Sequence, residues 1–168
     1  MASLTGLMSE PLTGFGDLVE RFDHVSLGVR DISATLPLVG LLGGTFLDGA
    51  DHSRGRFRWV QFDLPGNARL ELIQPLDGND FLESFLQRRG EGVHHLTFKV
   101  HDLDGAVERA HELGMETTGY HRGVGWHEVF LHPRSTGGVV IQLAEWVDHD
   151  PVAASLEEVL AGHVQDPE

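Results

Sequence analysis

The chain has 168 residues, a formal net charge of −14 and no cysteine. That length suits one domain, or two small modules sharing a core. The acidic balance excludes nucleic-acid and anionic-membrane partners, which need clustered Lys and Arg, and the missing cysteines exclude disulfides, thiolate chemistry and Cys-based metal sites.

In chain order, Met1–Gly16 lacks a basic segment followed by an apolar core, so it does not read as a signal peptide. No apolar run approaches the ~20 residues of a membrane span, and a cytoplasmic protein is expected. Residues 1–21 read as an N-terminal arm. From Phe22 a strand follows in which Val25, Leu27 and Val29 point one way and His24, Ser26 and Gly28 the other. Asp31 then caps a helix that contains Pro37 and Gly40 and is expected to be kinked or short. Strands follow near Thr45–Leu47, Arg56–Leu64 and Arg69–Gln74. Asn79–Arg89 reads as a linker helix with Phe81, Leu82, Phe85 and Leu86 as its buried stripe. The next strand contains His94 and His95, and Asp102 caps a helix with one apolar face through Leu103, Ala106, Val107, Ala110 and Leu113, stopped by Gly114. Strands at Glu116–His121, His127–Leu131 and Val139–Trp146 follow. Asp150-Pro151 is the expected N-cap and first position of a last helix through Leu160, ended by Gly162.

A repeat underlies this order. Asp23–Ile32 and His94–Leu103 align His24 with His95, Ser26 with Thr97, Val29 with Val100 and Asp31 with Asp102, at a constant offset of 71 positions. The same offset carries Leu42-Gly43 onto Leu113-Gly114 and Leu70-Glu71-Leu72 onto Ile141-Gln142-Leu143. A match at three separated places with no net gap marks two related modules. The reading is α+β: two β-α-β-β-β modules, residues 22–76 and 93–146, joined by a linker helix over 77–92 and followed by a helix and tail over 147–168. Strand parity puts His24, Glu71, His95 and Gln142 opposite the apolar faces of their strands. Two imidazoles, a carboxylate and an amide oxygen from equivalent positions suit a six-coordinate divalent ion. His94 has the opposite parity and is not expected to be a ligand. Trp59, Trp126 and Trp146 read as packing residues, the Arg54/Arg56/Arg58 alternation and Arg88-Arg89 as solvated, and His132-Pro133 with Gly137-Gly138 as a tight turn.

Three stretches carry a resemblance: Phe22-Asp23-His24-Val25-Ser26-Leu27-Gly28-Val29-Arg30-Asp31, Gly92-Val93-His94-His95-Leu96-Thr97-Phe98, and Phe130-Leu131-His132-Pro133-Arg134-Ser135-Thr136-Gly137-Gly138-Val139. They resemble the vicinal-oxygen-chelate (glyoxalase/bleomycin resistance/dioxygenase) superfamily, nearest to its methylmalonyl-CoA epimerase branch, over about Phe22 to Trp146. The resemblance implies a U-shaped cup, a homodimer, and one divalent metal ion (Co, Ni, Mn or Zn) held by His24, Glu71, His95 and the residue at Gln142. It also implies stabilisation of an enolate derived from a 2-carboxyacyl-CoA or related dicarbonyl acid. The sequence departs from that branch where the epimerases usually have Glu, here Gln142, and where they carry Pro-Glu-Gln-Gly, here His52-Ser53-Arg54-Gly55. Glu71 is then the one carboxylate placed in the cup and the expected base, with His52 and His127 as the next acid–base candidates. The other readings are an Fe(II) dioxygenase using two His and one carboxylate, a glyoxalase-like lyase, and a non-catalytic small-molecule binder.

Overall fold

The computed structural model describes residues 17–147, 151–153 and 155–166. Its elements run β1 (Val19–Gly28), α1 (Ile32–Leu41), β2 (Thr45–His52), β3 (Phe57–Leu64), β4 (Ala68–Pro75), α2 (Asp80–Arg89), β5 (Gly92–Val100), α3 (Leu103–Glu112), β6 (Thr117–Arg122), β7 (Trp126–Leu131), β8 (Val140–Trp146) and α4 (Leu156–Leu160). Most of the expected arm lies outside the described residues, but residues 19–21 belong to β1, which is longer than its apolar alternation suggests.

The eight strands form one sheet in the order β2-β3-β4-β1-β5-β8-β7-β6. Each half makes the same turn of chain. Its first strand is parallel to its last, β1 to β4 and β5 to β8, and antiparallel pairs fill the rest. The halves meet where β1 and β5 run antiparallel.

One sheet face carries α1, α3 and the two larger apolar cores, while α2 packs on the other face against Ile73, Phe57 and Trp59. Val29, Ile32, Val39, Val60, Phe62, Leu70 and Leu72 pack under α1, with Val25 and Leu27 against them. Val100, Leu103, Ala106, Ala110, Val129, Leu131 and Leu143 pack under α3. Asp31 accepts a hydrogen bond from Ser33 N and Asp102 from Gly105 N, so both caps form. Both helices end at left-handed glycines, Gly43 at φ 73° and Gly114 at φ 74°. Despite Pro37, α1 spans ten residues, as α3 does. Pro37 lies on the exposed side, where its ring and missing N–H meet water rather than the core.

Three outer features differ from the sequence reading. In α2, Leu82 and Leu86 are buried, Phe85 partly so, and Phe81 is about half exposed. The last helix is capped by Ser155, not Asp150, which lies outside the described residues. Upstream of it, the amides of Val152 and Ala153 donate to the buried carboxylate of Asp48, about a hundred positions away. Arg58 is not solvated: it pairs with Asp51 at 2.6 Å and 2.9 Å and donates to Leu160 O, tying β3 to the end of α4. The turn after β7 forms as expected, with Gly138 N donating to Pro133 O. Among the described residues no helix is long and apolar enough to cross a membrane.

Candidate metal centre

Four adjacent central strands each place one polar side chain on the sheet face opposite α1 and α3: Glu71 from β4, His24 from β1, His95 from β5 and Gln142 from β8. The register makes this set nearly twofold symmetric. His24 lies opposite Thr97 and Ser26 opposite His95, while Glu71 pairs with Ser26 and Gln142 with Thr97. All six side chains are buried. A bulge between Ser26 and Leu27 leaves His94 as the extra residue of β5. Its ring packs edge-on against Phe81 and Phe85 of α2, while its Nδ1 lies 2.9 Å from His95 Nδ1.

His24, Glu71 and His95 each offer a ligand atom within 4.8 Å of the other two. Glu71 Oε1 is 3.6 Å from His24 Nε2 and 3.7 Å from His95 Nε2. With metal–ligand bonds of ~2.0–2.2 Å, an ion separates neighbouring ligand atoms by about 3–3.5 Å, so slight contraction would fit one here. The donor chemistry also fits: imidazole and carboxylate suit first-row divalent ions. The outer contacts are of the kind that orient ligands. Asp23 Oδ2 lies 2.8 Å from His24 Nδ1, leaving Nε2 directed at the cluster, and Arg69 in turn holds Asp23. Gln61 Nε2 donates to Glu71 Oε2 at 3.3 Å. The buried Ser26 hydroxyl makes no full hydrogen bond among the described residues.

The charges in the cluster are strongly coupled. Burial opposes charge on His24, but Glu71 and Asp23 outweigh it and raise its pKa to about 9. Burial likewise opposes charge on Glu71, yet His24 and His95 hold it at about 2. For His95 burial prevails and the pKa falls to about 3 against the pull of Glu71. His94 is also lowered, mainly by burial.

Gln142 stands beside these three. Thr97 Oγ1 donates to its Oε1 at 2.6 Å and lies 2.9 Å from His24 Nε2. Its Nε2 donates to Glu128 Oε2 at 2.6 Å. Glu71 is therefore not the only carboxylate on this face, because Glu128 of β7 shares it. The sequence reading missed Glu128, although it alternates with the buried Val129 and Leu131. It missed Gln61 too, a polar residue between the buried Val60 and Phe62. His127 points to the helix side, beside Arg122. His52 accepts from Gly55 N and stacks on Phe57, 4.9 Å between centroids. The two tryptophans flanking this region, Trp126 and Trp146, stack on each other at 4.8 Å.

Comparison with known proteins agrees with this architecture. The signature of the Glyoxalase/Bleomycin resistance protein/Dioxygenase superfamily matches residues 23–130. The mitochondrial methylmalonyl-CoA epimerase of Bos taurus is 30% identical over 147 residues, 83% of this chain and 82% of that protein. Its Dictyostelium discoideum counterpart is 31% identical over 132 residues, 76% of this chain and 79% of that protein. The crystal structure of methylmalonyl-CoA epimerase from Mycobacterium tuberculosis superimposes with a TM-score of 0.71 at 28% identity, covering 83% of this chain and 95% of that one. With its paired modules, its seam of β1 on β5 and its matched signature, this chain belongs to the glyoxalase/bleomycin resistance protein/dioxygenase superfamily.

Proposed function

We propose that this chain is a metal-dependent isomerase that epimerises the α-carbon of a 2-carboxyacyl-CoA or a closely related dicarbonyl acid. The observation that carries this reading is the convergence of His24, Glu71 and His95 from neighbouring strands in a chain whose relatives are named methylmalonyl-CoA epimerases. His24, Glu71 and His95 would hold the ion, with the Gln142 oxygen completing or bordering the shell. When bound, a divalent ion supplies positive charge where negative charge develops on a carbonyl oxygen.

The chain's own residues would then handle the proton. The α-C–H bond breaks, its proton passes to a Glu71 carboxylate oxygen, and the electron pair moves onto the adjacent thioester oxygen. A second acid on the opposite side of the enolate returns a proton to the α-carbon, and Glu71 gives its own up to solvent before the next turnover, which completes the inversion. Asp23 and Gln61 keep His24 and Glu71 aimed at the reacting centre, and the burial of the cluster keeps bulk water from competing.

Protein loaded with Co(II), Ni(II), Mn(II) or Zn(II) is expected to exchange the α-proton of methylmalonyl-CoA for deuterium and to interconvert its epimers. No exchange with any of these ions would overturn the reading. A second reading, an Fe(II) dioxygenase, is favoured by one feature: the Gln142 oxygen already accepts from Thr97, leaving two His and one carboxylate as a facial set. Oxygen consumption with Fe(II), in place of exchange, would decide for it.

A further inference from the structure

Glu128 has no counterpart in the repeat, and its position next to Gln142 has a chemical consequence. On β7 the residues alternate. Val129 and Leu131 enter the core under α3, while Trp126, Glu128 and Phe130 face the metal centre. Phe130 pairs in register with Gln142, and its ring lies 6.2 Å from that of His95. Glu128 pairs with Ala144, whose single methyl leaves Glu128 room to lean along the sheet toward Gln142. Its Oε2 accepts from Gln142 Nε2 at 2.6 Å and from Trp126 Nε1 at 3.0 Å. Trp126 is itself stacked on Trp146, so the carboxylate is anchored from both sides.

We propose that Glu128 is a positioning residue: it fixes the Gln142 amide with its oxygen toward the metal cluster, and its presence is the reason an amide stands at position 142. A carboxylate only accepts hydrogen bonds, so it can face only the NH2 end of the amide. The carbonyl oxygen must then point the other way, to Thr97 and the side of His24. Without Glu128 the amide can turn over and present its nitrogen, which has no lone pair to give a cation. A glutamate at 142 would set two carboxylates at hydrogen-bond distance, an arrangement like charges oppose. Positions 128 and 142 are therefore coupled: an acceptor at one requires a donor at the other. The part concerning the ion rests on the metal reading above, while the pairing of the two side chains does not.

The test uses the full chain and five proteins: wild type, Glu128→Leu, Glu128→Gln, Gln142→Glu and the double variant Gln142→Glu/Glu128→Gln. Co(II) affinity is read by competition with a chromophoric chelator, and the thermal midpoint is read on metal-free protein. Loss of such an outer contact typically weakens metal binding ~10–100-fold, and Glu128→Leu is expected in that range. Glu128→Gln, which still offers a carbonyl acceptor, stays near wild type. Gln142→Glu alone lowers the metal-free midpoint, and adding Glu128→Gln restores most of the loss, a coupling that distant sites do not show. Wild-type affinity in Glu128→Leu, or a Gln142→Glu midpoint indifferent to Glu128→Gln, overturns the proposal. If wild type binds no Co(II), the metal reading itself fails, and the midpoints of the metal-free proteins still decide the pairing.

Discussion

His94 and His95 are neighbours in sequence with opposite settings. One ring lies between phenylalanines of α2, and the other has its Nε2 3.7 Å from Glu71. His95→Ala is expected to abolish binding of a divalent ion, measured by elemental analysis after dialysis, while His94→Ala keeps one ion per chain. Equal loss in both would mean that the bulge in β5 is misplaced by one residue. Glu71→Gln separates two roles of one side chain. An amide oxygen can still ligate but cannot take a proton, so turnover is expected to fall ~10²–10⁴-fold with metal content kept. These positions were legible because the 71-residue offset ties His24 to His95 and Glu71 to Gln142. Glu128 and Gln61 were not, since the repeat carries no identity across β3 and β7, and a lone polar residue in a strand looks the same whether it faces solvent or a site.

Among the elements, the strands and the two capped helices follow from alternation, Asp caps and terminal glycines, all local signals. The end of the chain does not. Asp150-Pro151 has the local chemistry of a helix start, yet the observed helix begins after Ser155 and the preceding amides of Val152 and Ala153 belong to Asp48 on β2. A hydrogen bond across a hundred positions leaves no periodic trace in the sequence. Asp48→Ala would strip the buried Ala153 amide and the partly buried Val152 amide of their acceptor, and an unsatisfied buried group costs about 1–3 kcal/mol. Urea unfolding is expected to show a loss of that size with an unchanged slope. Asp48→Asn, which keeps one acceptor oxygen, should lose less. A variant as stable as wild type would show that water serves these amides equally well.

At the scale of the whole molecule, the sheet order puts the two halves in contact through β1 and β5, and each half owns two of the four clustered residues. An ion bound to His24, Glu71 and His95 would bridge that seam. A ligand that binds only the folded form stabilises it by mass action, so metal-loaded protein is expected to exchange its β1 and β5 amide hydrogens more slowly than chelator-treated protein, with smaller differences in β6 at the sheet edge. Uniform protection, or none, would place the ion elsewhere. The same seam also sets an order in time. His24 leaves the ribosome about 120 residues before Gln142, a delay of roughly 6–24 s at ~5–20 residues per second. Until β5 follows, about 70 residues after His24, β1 has no partner across the seam, and the nascent chain carries at most His24 and Glu71 of the polar set. An ion that needs His24, Glu71 and His95 together would therefore be captured only once the second module has begun to emerge, from whatever the surrounding solution then supplies.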